Sequence, residues 1–123
     1  MKYPQVQIII DILSRIDDSP KSKLGFDMSS TYRFPGSYHK CGSACCIGGW
    51  AQRAMDLIYG DYPESISNAL SDLVNIPIEE AKAICFPLVD HSTVSFKVAL
   101  RMLRQYRNTG KIDYIQAGAK TAR

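Results

Sequence analysis

The segment His39-Lys40-Cys41-Gly42-Ser43-Ala44-Cys45-Cys46-Ile47-Gly48-Gly49-Trp50-Ala51 is the most unusual stretch of this chain. It holds three of the four cysteines, three of the eight glycines and the only tryptophan of the 123 residues. Glycine lets the backbone turn tightly and approach its neighbours, while cysteine and tryptophan pack closely against other groups. The segment therefore predicts a tight turn that leads into a closely packed helix.

Apolar residues recur at helical spacing on both sides of this turn. Helices are predicted over residues 4–16, from about 44 to 58, from 63 onward, over 78–86 and over 94–107. Residues 19–40 show no sustained period, so we expect a long loop there with at most a short strand. The predicted fold is mainly α, an irregular bundle of about five helices with a long loop in its N-terminal half. Residues 1–115 form a single domain, and residues 116–123 a flexible tail.

The spacing also assigns the buried face of each long helix. The expected core residues are Val6, Ile9, Ile10, Leu13 and Ile16 in the first helix, then Ile47, Trp50, Ala51, Ala54, Leu57 and Ile58 in the second. They continue with Ile66, Ala69, Leu70 and Leu73 in the third helix, and Phe96, Ala99, Leu100, Leu103 and Tyr106 in the fifth. Gln52 is placed on the solvated side. Gly48 and Gly49 each cost about 1 kcal/mol of helix propensity, which predicts another backbone or a ligand very close to them.

Composition restricts the class of protein. No stretch has the length of a membrane span, and the N-terminus lacks the apolar run of a secretory signal, so we expect a cytoplasmic protein without a membrane partner. In a reducing compartment, four cysteines indicate free thiols, a metal or catalysis rather than a disulfide framework. The net charge is +3, but residues 94–123 hold seven Lys or Arg against one Asp. That asymmetry favours an acidic partner, and nucleic acid stays open.

Zinc is one interpretation of the cysteines and histidines. Four residues separate Cys41 from Cys46, five separate Cys85 from His91, and His39 is a spare ligand. The zinc set to be tested is His39, Cys41, Cys46 and His91. Structural zinc sites usually use tighter Cys-x2-Cys pairs. We therefore favour Cys45, Cys46 and Cys85 as buried thiols, and we expect no metal and no cofactor.

Two further interpretations concern the same segment. Cys-Gly-Ser-Ala-Cys superficially resembles the nucleophile segment of papain-like proteases, but Ala44 interrupts the match, and the partner histidine would be His39 or His91. Alternatively, the backbone N–H groups of the glycine turn form an anion nest for a small ligand or nucleotide. The residues of this nest are Gly42, Ser43, Cys46 and Trp50.

A basic ridge and an aromatic loop are the candidate binding surfaces. Lys97, Arg101 and Arg104 recur at i, i+4 and i+7, with Arg107 one turn further on. Such a ridge suits phosphates or an acidic protein surface, and Tyr106 and Tyr114 offer stacking for single-stranded nucleic acid. The loop before the cysteines gathers aromatics and an arginine, of which Tyr32 and Arg33 are the candidate contacts. Each candidate surface also has a plainer interpretation. The ridge would be a solvated helix face, and the loop would fold its aromatic side chains inward.

The segment at 39–51 resembles a Cys-Gly-Thr-x-x-Cys-Ile-x-Gly-Trp-Ala signature shared by small uncharacterised proteins of bacteriophages and bacteria. Residues 73–87 and 109–114 are similar, more loosely, to two later motifs of that family. Ser43 stands where relatives have threonine, and Cys85 occupies an apolar position of theirs. The resemblance implies a phage or mobile-element setting and no established activity.

Taken together, these features favour a non-enzymatic binding protein over an enzyme, without deciding between them. We expect an inhibitor of a host defence or nucleic-acid-processing complex, with a host or phage protein or ribonucleoprotein as partner, in the host cytoplasm. The expectation that the protein is an inhibitor rests on analogy with small phage proteins. A nucleotide-sequestering module and a cysteine- or zinc-dependent enzyme are the alternatives, and a homodimer stays open.

Overall fold

The computed structural model describes residues 1–15, 25–26, 44–45, 47–60, 65–90 and 93–121, the four strand residues by their backbone alone. The described part is mostly helical, which confirms the predicted fold class. A 3-10 turn at Pro4–Val6 runs into α1 (Gln7–Ser14), and the later helices are α2 (Ile47–Tyr59), α3 (Ile66–Val74), α4 (Ile78–Cys85), α5 (Phe96–Thr109) and α6 (Tyr114–Ala117). Two short strands, β1 (Gly25–Phe26) and β2 (Ala44–Cys45), pair in parallel.

One core joins the helices. Helix α5 packs against α1 and α6, while α3 packs against both α2 and α4. Tyr106 and Leu103 of α5, Ile9 and Leu13 of α1 and Leu70 of α3 have almost no exposed surface. Since these side chains come from the beginning, middle and end of the chain, residues that are distant in the sequence share one core.

Side-chain caps fix where the later helices begin. Ser65 Oγ accepts a hydrogen bond from Asn68 N at 3.3 Å, and Ser95 Oγ accepts one from Val98 N at 3.2 Å. Asp113 Oδ1 accepts from Gln116 N at 3.0 Å at the start of α6. Each cap satisfies a backbone donor that has no partner inside the helix, so Ser65, Ser95 and Asp113 define the first residues of α3, α5 and α6.

Asn75 ends α3 in the left-handed region, with φ 52°. An alanine there keeps the strained backbone without the local hydrogen-bonding capacity of asparagine, whereas glycine adopts this conformation freely. We expect Asn75→Ala to lower the free energy of unfolding by about 1 kcal/mol and Asn75→Gly to leave it within about 0.5 kcal/mol. Urea denaturation followed by circular dichroism measures both. Equal losses in the two variants would contradict the backbone explanation.

The predicted buried faces are confirmed for the described residues of α1 and for α3, and for α5 apart from the half-buried Phe96. Ile16 lies outside the described residues. In α2 the prediction is wrong at the end of the helix, because Leu57 and Ile58 are 70% and 61% exposed. It is also wrong for Gln52, which is 2% exposed. The first two turns of α2 are buried on nearly every side and the last turn projects outward, so burial here changes along the helix rather than around it.

Residues 116–121, which we expected to belong to a flexible tail, are packed against the bundle. Ala117 and Ala119 are buried, Asp90 N donates to Lys120 O at 2.9 Å, and Val89 and Thr121 form an antiparallel bridge. The short side chains of this segment carry no periodic signal in the sequence. They fit closely beside α5, and this adds the helix α6 that the prediction lacked.

Within the described ranges, we find no helix with both the length and the apolar character that crossing a membrane requires. The predicted loop at residues 19–40 lies outside the described residues, apart from the backbone of β1. The second helix begins at Ile47 rather than near residue 44, because Ala44 and Cys45 belong to β2.

Candidate functional site

Gly48, in the first turn of α2, lies at a close contact between helices. A Cβ atom at Gly48 would lie 2.6 Å from Ile66 Cβ and 2.8 Å from Cys85 Sγ, so α2 meets the start of α3 and the end of α4 at this point. Another backbone or a ligand was expected close to the glycines, whereas the atoms closest to Gly48 belong to the side chains of Ile66 and Cys85. Cys85 is 2% exposed, and its thiol lies 3.8 Å from Ile66 O as a weak donor. Cys85 thus packs as a small core residue, as expected.

Most of the predicted site residues of the cysteine segment, the preceding loop and the zinc set lie outside the described residues. These are Tyr32, Arg33, His39, Cys41, Gly42, Ser43, Cys46 and His91. Among the residues that the structure does describe, no three His, Cys, Asp or Glu side chains are grouped in a way that would hold a metal ion. The zinc set and the anion nest stay predictions. Trp50, the remaining nest residue, is 5% exposed, and the guanidinium of Arg53 lies 5.5 Å from its ring centroid.

The basic ridge of α5 divides into two parts. Lys97, Arg101 and Arg104 are exposed and share one face of the helix, and we call these three residues the basic edge. Arg101 Nη1 donates to Ala117 O at 2.8 Å. Arg107 is half-buried and donates to Gln7 Oε1 on α1 and to Asn108 Oδ1, so it joins α5 to α1 and does not extend the basic edge.

Helix α5, which carries the basic edge, has no acidic residue. Helix α5 contains Lys97, Arg101, Arg104 and Arg107 and neither Asp nor Glu. Lys97 stands in the first turn, where the helix dipole disfavours a cation. In the described part of the chain, Lys97 and Arg104 take part in no ion pair, whereas Lys82 lies 3.8 Å from Glu79 on α4. The positive charge of this face is therefore left for solvent or a partner.

The tyrosines proposed for stacking are buried, and that prediction is wrong. Tyr106 is 0% exposed and Tyr114 3% exposed. Tyr114 OH donates to Ile84 O at 2.6 Å, and Tyr106 OH donates to Glu80 Oε1 at 2.8 Å. Each ring fills the core while its hydroxyl finds a buried acceptor, which is the usual compromise for a buried tyrosine. Neither ring is available to a base.

Tyr106, Glu80 and Tyr3 form a polar cluster that joins α5, α4 and the N-terminal segment. Tyr3 OH lies 3.5 Å from Glu80 Oε2, and the two tyrosine rings are 5.0 Å apart. Burial raises the pKa of the Tyr106 phenol well above its usual range, and the hydrogen bond to Glu80 and its negative charge raise that pKa further. The phenol therefore stays protonated as a donor. The cluster is therefore a structural tie between α5, α4 and the N-terminal segment.

An apolar groove lies between α4 and α6, and the sequence interpretation missed it. Its volume is about 780 Å³, and we call it the α4–α6 groove. Phe86, Leu88 and Ile115 line it and are 58%, 94% and 46% exposed. The run Phe86-Pro87-Leu88-Val89 was the available signal, because four successive apolar residues outside a helix seldom lie open to solvent without a reason.

We compared the chain with known proteins at three levels. No family model matches it, and neither a curated protein nor a solved structure does so. The geometry described above is therefore the basis on which a function is argued.

Proposed function

We propose that this protein is a non-enzymatic binding protein that holds an acidic surface of a protein partner on the basic edge of α5. The observation that carries the proposal is the exposure of Lys97 and Arg104 on a helix without a single carboxylate. Arg101 lies between them and is oriented by its hydrogen bond to Ala117 O. Three cations on one exposed helix face match a row of carboxylates on a partner.

The arrangement costs the isolated protein some stability. Like charges at i, i+4 and i, i+3 destabilise a helix by about 0.2–0.5 kcal/mol per pair, which applies to Lys97 with Arg101 and to Arg101 with Arg104. Lys97 adds an unfavourable interaction with the helix dipole. A neighbouring carboxylate would reverse the sign of these interactions, and α5 supplies none. Binding an acidic surface supplies the missing charge.

A protein partner is favoured over single-stranded nucleic acid because the two tyrosines proposed for stacking, both in the described part of the chain, are unavailable to bases. Non-specific binding of single strands combines cationic grooves with exposed aromatic rings, and Tyr106 and Tyr114 are both buried. On the resemblance to phage proteins, we propose a component of a host defence or nucleic-acid-processing complex as the partner. Tyr32 and Arg33 would add contacts from the preceding loop.

Charge reversal on the basic edge tests the proposal. We expect a fluorescent polyglutamate peptide to bind more tightly than a single-stranded oligonucleotide of equal charge, as measured by fluorescence anisotropy at low salt. The double variant Lys97→Glu/Arg104→Glu should weaken polyglutamate binding by at least about tenfold. Lys2→Glu/Arg15→Glu is the matched control, since both residues are exposed, lie on the N-terminal segment and change the net charge equally.

Capture from nuclease-treated bacterial lysate then identifies the natural partner. We expect a protein that the wild type and the control variant retain and the basic-edge variant loses. Equal losses in both variants would show that net charge alone drives binding. A partner lost on nuclease treatment, or an oligonucleotide that binds more tightly than polyglutamate, would replace the acidic protein with nucleic acid.

A further inference from the structure

The α4–α6 groove carries a protruding apolar side chain beside an apolar depression. Leu88 is 94% exposed and stands at the rim, while the half-buried Pro87, Val89 and Ile112 line the depression with Ile115. Water is a poor solvent for such a combination, and exposed apolar patches of this kind mark interaction sites. The groove does not contain the basic edge, so it is a separate surface.

We propose that the α4–α6 groove binds the same groove of a second copy of this chain, with Leu88 of each copy inserted beside Ile112 and Ile115 of the other. In a two-fold symmetric pair the same patch is used twice, so a projection and a depression on one patch become complementary to each other. A single molecule of this protein offers both. The inference goes beyond the proposed function and does not depend on it.

The charges at the groove favour a second copy over a peptide of another protein. Lys82 and Asp113 both line the groove, and both are exposed. A two-fold axis pairs residue i with residue j and j with i, so Lys82 of each copy can meet Asp113 of the other. A basic peptide would be opposed by Lys82 and an acidic one by Asp113. A second copy brings an opposite charge to both: Asp113 of the other copy to Lys82, whose ion pair with Glu79 is exposed to solvent on both sides, and Lys82 of the other copy to Asp113.

The size of the groove sets the strength of the pair. Stable interfaces use about 20–30 residues on each side, whereas a dozen residues line this groove. Burial on that scale overcomes the loss of translational and rotational freedom by only a small margin. The dimer is therefore a weak one, with a dissociation constant on the order of tens of micromolar.

Sedimentation equilibrium from about 5 to about 500 µM tests the interface. The wild-type mass should rise from 13.7 kDa toward twice that value as the concentration increases. Leu88→Asp should stay monomeric over the whole range, because the charge would enter the groove of the partner copy. Leu57→Asp is the matched control, since Leu57 is 70% exposed on α2, outside the groove, and should associate like the wild type.

The charge pairing has a test of its own. Lys82→Glu places two carboxylates opposite each other and should raise the dissociation constant at least about tenfold. Adding Asp113→Asn removes that repulsion while keeping a side-chain oxygen for the α6 cap, so the double variant should recover most of the affinity. Circular dichroism checks that every variant is folded.

Three outcomes would overturn the proposal. A wild type that stays monomeric throughout would leave the groove to another occupant. Association lost in Leu57→Asp and kept in Leu88→Asp would place the contact elsewhere. A Lys82→Glu variant that associates as tightly as the wild type would show that Lys82 does not face Asp113 of the other copy, and the two-fold arrangement would be wrong.

Discussion

Gly48→Ala is expected to lower the free energy of unfolding by about 1–3 kcal/mol, although alanine is the better helix former by about 1 kcal/mol. The added Cβ atom would lie 2.6 Å from Ile66 Cβ, which is the stem of its side chain and cannot swing away. Helices α2 and α3 must separate to make room, and the surrounding core contacts are lost with that movement. Urea denaturation at neutral pH measures the change.

Two comparisons show whether the close approach is the cause. Gly60 has φ +67° and nothing within 4 Å of an added Cβ, so Gly60→Ala should cost only backbone strain, about 1 kcal/mol. Cys85→Ala removes the sulfur that would lie 2.8 Å from the new Cβ, so Gly48→Ala should cost less in that background. If Gly48→Ala is neutral, the packing explanation is wrong, whereas an unchanged cost without the Cys85 sulfur would assign the whole effect to Ile66.

Local patterns were sufficient for much of the fold. The helical spacing of Ile9, Ile10 and Leu13, and of Ile66, Ala69 and Leu70, predicted the buried faces of α1 and α3, because a single face of each helix meets the core. The helix predicted over residues 78–86 is confirmed as α4, which begins at Ile78 directly after Pro77. Helix periodicity and helix starts depend on residues that are close together in the sequence, so the sequence alone was enough to predict them.

Errors occurred where the fold depends on distant residues. Leu57 follows the apolar spacing of α2 but projects beyond the elements that cover its first turns. Ala117 and Ala119 are too small to form a pattern, yet both are buried in the packing beside α5. In each case, burial depends on packing against an element that is distant in the sequence. The local spacing of apolar residues carries no information about how far that element extends.

The candidate surfaces were predicted to different degrees. The exposed basic edge follows from spacing alone, since Lys97, Arg101 and Arg104 share one face of any helix. Arg107 has the same charge but bonds to Gln7, one hundred positions away in the sequence, and that contact could not be anticipated. The α4–α6 groove likewise requires Leu88 and Ile115 to meet in three dimensions.

Tyr106→Phe is expected to lower the free energy of unfolding at pH 7 by about 1.5–3 kcal/mol, the range for a hydrogen bond to a charged group. The ring still fills the core, so the loss of stability comes from the hydroxyl and its 2.8 Å hydrogen bond to Glu80. Tyr59→Phe is the control, because Tyr59 is 66% exposed and removal of its hydroxyl should leave stability unchanged. Thermal and urea denaturation both measure the difference.

The same hydroxyl makes the free energy of unfolding depend on pH in the alkaline range. The native pKa of Tyr106 is raised above that of the unfolded chain, so the native state keeps a proton that the unfolded state releases above about pH 10. The stabilisation is therefore complete below pH 10 and declines as pH rises, by up to about 1.4 kcal/mol per pH unit. Tyr106→Phe lacks this proton, so its free energy of unfolding should fall less steeply than that of the wild type between about pH 10 and 11. Parallel slopes for the two proteins would mean that the phenol ionises in the native state as readily as in the unfolded chain, and the polar cluster would then not be the tie that joins α4 to α5.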